Sequence, residues 1–145
     1  KSMDQIMVVY WSSTGNTEAM AKCIGEGIQA AGKEAKVVDM DSISADELKD
    51  CSVFAMGASA MGDEELDDGT AEPFVEEVEK FAAGKKIALF GSYDWGDGEW
   101  MRKWTERMQD AGAEIVGGEG LICNNEPQAE DEENCKELGK KLAEQ

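Results

Sequence analysis

The chain has 145 residues, no histidine and a formal net charge of −18, from 32 acidic and 14 basic side chains. That balance argues against nucleic acid and anionic membrane surfaces as partners and suits equally a basic protein reached by electrostatic steering and an acidity that only keeps the chain soluble or reflects a salty habitat. No apolar run approaches the ~20 residues of a membrane span, and the lack of histidine removes Ser–His and Cys–His catalytic pairs along with the commonest metal ligand.

Ile6-Met7-Val8-Val9 is a short apolar run and predicts a buried strand. It leads into Tyr10-Trp11-Ser12-Ser13-Thr14-Gly15-Asn16-Thr17, where hydroxyls crowd a turn around one glycine. Met20, Ile24, Ile28 and Ala31 then recur at helical spacing until Gly32 stops the pattern. A helix N-terminus offers unpaired N–H groups and the positive end of a dipole, so this turn suits a phosphate dianion. No Lys or Arg lies between Lys1 and Lys22. Neutral donors alone would hold the anion, which fits a bound phosphate monoester better than a nucleoside triphosphate. Neither GxxxxGK[ST] nor GxGxxG occurs in the chain.

Ala35–Val38 predicts a second strand, and Ser44-x-x-Glu47 a capping box opening a short helix around Leu48. Val53–Gly57 predicts a third strand, running into an aperiodic loop at 58–65. Thr70 is placed to cap a helix whose inner face carries Phe74, Val78 and Phe81 and which Gly84 stops. Lys85–Phe90 predicts a fourth strand, followed by a polar, aromatic loop at 91–98. Asp97 is placed to cap the next helix, with Trp100, Met101, Trp104 and Met108 as its buried stripe and Gly112 at its end. Ile115-Val116 and Leu121-Ile122-Cys123 predict a fifth strand interrupted by glycines, and a last helix follows Pro127 with Cys135, Leu138 and Leu142 inward.

Strands alternating with helices predict an α/β fold of three layers, α/β/α, around a doubly wound five-stranded parallel sheet of order 2-1-3-4-5. The loops at 12–17, 58–65 and 91–98 would then converge on one crevice at the switch point. One loop offers a phosphate seat, and the others offer Met61 and Trp95, which can sandwich a planar aromatic ring. The four cysteines, Cys23, Cys51, Cys123 and Cys135, form no C-x-x-C pair and are expected to be buried small hydrophobes rather than disulfides. No basic segment followed by an apolar stretch marks a secretory signal. The expectation is one domain, residues 1–145, working as a cytoplasmic monomer.

The chain resembles a flavodoxin of the short-chain, clostridial type. The resemblance rests on Ser-x-Thr-Gly-Asn-Thr at 12–17, Ala-Met-Gly-Asp-Glu at 60–64, Gly-Ser-Tyr-x-Trp-Gly-Asp-Gly at 91–98 and Asn-Glu-Pro at 125–127. It implies non-covalent FMN and low-potential one-electron transfer, mainly between semiquinone and hydroquinone, with reductases and low-potential acceptors as basic-surfaced partners. It also implies the site. Ser12, Ser13, Thr14, Gly15, Asn16 and Thr17 would hold the 5′-phosphate, and Trp95 and Met61 would cover the two faces of the isoalloxazine. Ser59 and Ala60 would border ribityl and ring, Glu64 would accept from flavin N3–H, and Ser92, Tyr93 and Asn125 would lie near the ribityl chain or ring edge. Gly62 and Asp63 would form a turn whose peptide flips so that the Gly62 carbonyl accepts N5–H, and Asp94 and Gly96 would flank the stacked tryptophan. Two departures stand out: Asp94 occupies a position where close relatives often have glycine, and Gly117-Gly118-Glu119-Gly120 is looser than the family pattern. Three other functions are weighed against the carrier: an FMN-dependent NAD(P)H:quinone reductase-like enzyme, a flavoprotein activator of ribonucleotide reductase, and a phosphate-binding module without flavin.

Overall fold

A computed structural model describes residues 5–145. Strand β1 (Gln5–Trp11) pairs on one side with β2 (Glu34–Asp39) and on the other with β3 (Val53–Ala58), and β3 pairs with β4 (Lys86–Tyr93), every pairing parallel. The far edge of β4 takes two short strands in succession. β5 (Glu114–Ile115) lies along Lys86 and Ile87, and β6 (Leu121–Asn124) lies along Phe90–Tyr93. The order β2-β1-β3-β4-β5 is the expected one, and the glycine-rich segment between Ile115 and Leu121 divides the fifth strand in two.

Four α-helices cover the sheet: α1 (Asn16–Ala30), α2 (Ala71–Glu79), α3 (Glu99–Asp110) and α4 (Ala129–Ala143). Side chains alternate across a strand, and β1 feeds both layers. Ile6, Val8 and Tyr10 join Met20, Ile24 and Ile28 of α1 and Cys135, Leu138 and Leu142 of α4. Met7 and Val9 join Phe74, Val75 and Val78 of α2 and Trp100, Met101, Trp104 and Met108 of α3. The predicted helical stripes supply the two cores except at Ala31, which is exposed because α1 ends at Ala30 and Ala31 is its C-cap, and at Phe81, which is only partly buried against the core. Among the described residues, no helix is long and apolar enough to cross a membrane.

The helix starts differ from the expected caps. Ser44 opens a 3₁₀ turn over Ala45–Leu48 and accepts from Asp46 N–H at 3.3 Å, so the local bond goes to the second residue, not to the Glu47 of a capping box. Thr70 stands at the N-cap of α2 without capping it. The Asp67 carboxylate accepts from the N–H groups of Thr70 (2.6 Å) and Ala71 (3.2 Å), while the Thr70 hydroxyl donates to Asp41. Asp97 does not cap α3 either: Gly98 is the N-cap, at φ +94°, and the Asp97 carboxylate pairs with Arg102 at 3.0 Å. At α2 a short-range sequence signal loses to an acceptor that the folded chain brings closer, whereas Ser44 remains the acceptor and only its donor changes.

Candidate functional site

The C-terminal ends of β1, β3 and β4 lie side by side, so the segments leaving them meet. One hydroxyl ties them together. Thr17, in the first turn of α1 and fully buried, shares a hydrogen bond with Ser59 Oγ at 2.8 Å and accepts from Ser92 N–H at 3.1 Å. Ser59 Oγ also accepts from Ser13 N–H at 3.2 Å. Backbone bonds add to the seam: Ser59 N–H donates to Trp11 O at 3.2 Å, and Ala60 N–H to Ser92 O at 3.0 Å. Ser92 Oγ donates to Asn125 O at 2.7 Å, bringing the end of β6 to the same place.

Above this seam lies a cleft of about 510 Å³, within the roughly 300–1,000 Å³ of small-molecule sites. Ser13, Thr14, Asn16, Ser59, Ala60, Met61, Gly62, Ser92, Tyr93, Asp94, Trp95 and Asn125 line it. The start of α1 contributes to it, with Gly15 at φ +97° as N-cap, a residue with no side chain to satisfy the first N–H groups. So do Trp95 and Met61, exposed by 57% and 37%, the two large hydrophobic side chains left open among the described residues. Among the described residues, the only charged side chain in the lining is Asp94.

Ser12, Gly15, Thr17, Asp63, Glu64 and Gly96, also expected in the site, are not among the lining residues and belong to the turns that carry them. Ser12 Oγ accepts from Gly15 N–H (3.0 Å) and Glu18 N–H (3.2 Å), bracing the turn from inside. Tyr10 donates to Glu18 at 3.1 Å, and burial, followed by that carboxylate, raises the phenol above its ordinary pKa. Gly62, Asp63 and Glu64 form the tip of a hairpin closed by reciprocal bonds between Met61 and Glu65, both 2.8 Å. Gly62 has φ +53°, and a Cβ there would meet nothing within 4 Å, so only backbone strain selects glycine.

Glu64 has a role that its local sequence does not announce. Its carboxylate is buried and accepts from Asp97 N–H at 2.9 Å and Trp100 N–H at 3.3 Å, so it caps α3 from another loop. The negative charge also suits the helix N-terminus. Its approach runs over Gly96, where a Cβ would collide with the carboxylate. The 58–65 and 91–98 segments are thus locked together beside Trp95.

The architecture and cleft define an α/β protein that binds a phosphorylated planar ligand at a sheet switch point. Its residues 8–139 match the family model described as Flavodoxin. It is 48% identical to a flavodoxin of Clostridium beijerinckii over 136 residues, covering 94% of this chain and 97% of that protein. Against a flavodoxin of Megasphaera elsdenii it is 44% identical over 95% of this chain and 98% of that protein. The solution structure of two-electron reduced Megasphaera elsdenii flavodoxin superposes with a TM-score of 0.86 at 41% identity, covering 97% of this chain and 99% of the other. The chain belongs to the flavodoxin family of FMN-binding electron carriers, of the short-chain type.

Proposed function

We propose that residues 1–145 form a single FMN-binding domain that passes single electrons between proteins and catalyses no turnover of its own. The observation that carries this reading is that one cleft brings two exposed hydrophobic side chains, Trp95 and Met61, together with the start of a helix whose N-cap residue is a glycine. Large apolar side chains left open beside a polar pocket gain from a flat ring laid between them. The phosphate end fits as well, since neutral hydroxyls and N–H groups hold an anion without a side-chain cation.

FMN, when bound, supplies the one-electron chemistry that no side chain here offers. Ser13, Thr14 and Asn16 face its phosphate, while Ser12, Gly15 and Thr17 hold the turn in shape. Ser59 has a further part. Its Oγ shares a hydrogen bond with the buried Thr17 hydroxyl, sits at the cleft wall and offers a hydroxyl to the ribityl chain. Ala60, Ser92, Tyr93 and Asn125 border the ribityl chain and ring edge. Glu64 keeps lone pairs beyond its two bonds to α3 and with them would accept the ring imide N–H. Gly62 tolerates the rotation that turns its carbonyl towards the ring N5 proton, and Asp63 completes that turn. Gly96 gives Glu64 room to reach α3, and Asp94 sets a negative charge beside the ring.

The partners are basic-surfaced reductases and low-potential acceptors, matched to the −18 net charge of a cytoplasmic monomer. An anaerobic redox titration of the FMN-loaded protein, with Gly62→Val alongside, tests this reading. Two separated one-electron steps in the parent, less separated in the variant, and no steady-state NAD(P)H oxidation are expected. A single two-electron step, or NAD(P)H turnover by the pure protein, would overturn it.

A further inference from the structure

α1 and α4 touch through their backbones. A Cβ on Gly27 would collide with the Lys136 carbonyl, and one on Gly139 would collide with the Ile24 carbonyl and lie 2.9 Å from Ile28 N and 3.0 Å from Gly27 Cα. Each helix is joined to a strand of one parallel sheet, so the two run in the same direction. Four residues before each glycine stands a cysteine: Cys23 before Gly27, and Cys135 before Gly139. Residues four apart share one helix face. Cys23 and Cys135 therefore stand on the facing sides of the two helices, one turn before the glycines that bring the backbones together. Both pack into the same apolar cluster, Cys135 fully buried and Cys23 half-buried. Next to them Lys136 Nζ reaches Glu26 across the same seam at 3.7 Å.

We propose that Cys23 and Cys135 are a disulfide-forming pair, with Cys23 as the solvent-reached thiol and Cys135 as the resolving one. The oxidant is a small disulfide. The Cys23 thiolate attacks one sulfur of the reagent, forms a mixed disulfide and expels the first reagent thiolate. Cys135 loses its proton to solvent, attacks the Cys23 sulfur and expels the second. Two electrons pass from the protein thiols to the reagent, two protons go to water, and the new bond ties α1 to α4. The helix thus fastened is the one whose N-terminus faces the cleft, so the pair is a modification site on the support of the anion seat.

The surroundings set the pH response. Burial raises both thiols, Cys135 to about 12. Glu132 of α4 and Glu26 of α1 push Cys23 further up and Lys136 opposes them, while Cys23, Cys123 of β6, Asp131 and Glu132 act on Cys135 in the raising direction. Only the thiolate reacts, so exchange accelerates as pH rises.

The test uses the FMN-loaded protein and the aromatic disulfide dithiobis(nitrobenzoate). Two reagent thiolates per protein, no retained adduct, a mass about 2 Da lower and a proteolytic peptide joining Cys23 to Cys135 are expected. Cys135→Ala stops at a stable mixed disulfide on Cys23, and Cys23→Ser abolishes the folded-state reaction. A stable adduct on Cys23 in the parent protein would overturn the proposal. So would a linkage to Cys51 or Cys123, or an inert folded protein whose urea-unfolded chain reacts at all four cysteines.

Discussion

Replacing Thr17 by valine removes one oxygen and keeps the shape of the side chain. That oxygen is fully buried and makes two bonds, to Ser59 Oγ at 2.8 Å and from Ser92 N–H at 3.1 Å. A neutral intramolecular hydrogen bond contributes about 1 kcal/mol net, while a buried donor left without a partner costs about 1–3 kcal/mol. Ser59 has Ser13 N–H as a second partner, but Ser92 N–H, at a residue only 4% exposed, has lost its acceptor. The sum is a destabilisation of about 2–4 kcal/mol. Urea unfolding of the apoprotein reads it as a lower midpoint at unchanged slope. Thr17→Ser keeps the oxygen and should stay within about 1 kcal/mol of the parent, the worth of one methyl group. FMN affinity should fall in the valine variant, because the three segments around the cleft lose their shared tie. A Thr17→Val apoprotein within about 0.5 kcal/mol of the parent, a range usual for surface changes, would refute the idea that this hydroxyl holds the segments together.

Three further substitutions probe other parts of the site and its frame. Glu64→Gln leaves one amide oxygen for two N–H donors and removes the charge at the start of α3, so apoprotein stability should drop by about 2 kcal/mol in urea; an unchanged midpoint would remove Glu64 from the cap. Asp94→Asn removes a charge beside the ring, worth about 0.4 kcal/mol at ~10 Å in water-like surroundings, so the potential for the second electron should rise by about 20 mV, less at high salt; a zero or negative shift would count against the electrostatic role. Arg107 bridges Glu72 (2.7 and 2.9 Å) and Glu79 (both 2.8 Å), joining α2 to α3, and its hydrogen bonds hold the Glu72 carboxyl below its ordinary value. Stability from that pair is therefore present above pH ~4.3 and lost as pH falls through the lower folded-state value. Arg107→Met should flatten the acid limb of a melting-temperature profile, and an identical limb would exclude the pair as its cause.

The sequence made the layers legible because each element buries one face. Met20, Ile24 and Ile28 keep helical spacing, and so do Trp100, Met101, Trp104 and Met108; all seven are core. The chemistry of the cleft was legible for a related reason: Trp95 and Met61 sit in loops where nothing in the chain requires a large apolar side chain. What stayed hidden were chiefly bonds between segments distant in sequence: Glu64 caps a helix that begins at Glu99. Asp67, only three residues before Thr70, outcompetes it because the loop folds its carboxylate back over the start of α2. Thr17 stood out as a ligand contact, yet its hydroxyl points to Ser59 and Ser92, one of them a residue 75 positions away. The split of the fifth strand was visible as glycines, but the registers of its two halves on β4 depend on tertiary pairing.

The central claim is that one cleft holds a flat phosphorylated ring between Trp95 and Met61 with its phosphate at the start of α1. Fluorescence titration of the apoprotein with FMN, and separately with riboflavin, tests it most directly. Stoichiometric FMN binding with flavin emission quenched by the stacked indole is expected, together with binding of riboflavin at least tenfold weaker, a loss of about 1.4 kcal/mol for the missing phosphate. Equal affinity for the two flavins, or bound FMN that keeps its emission, would contradict it.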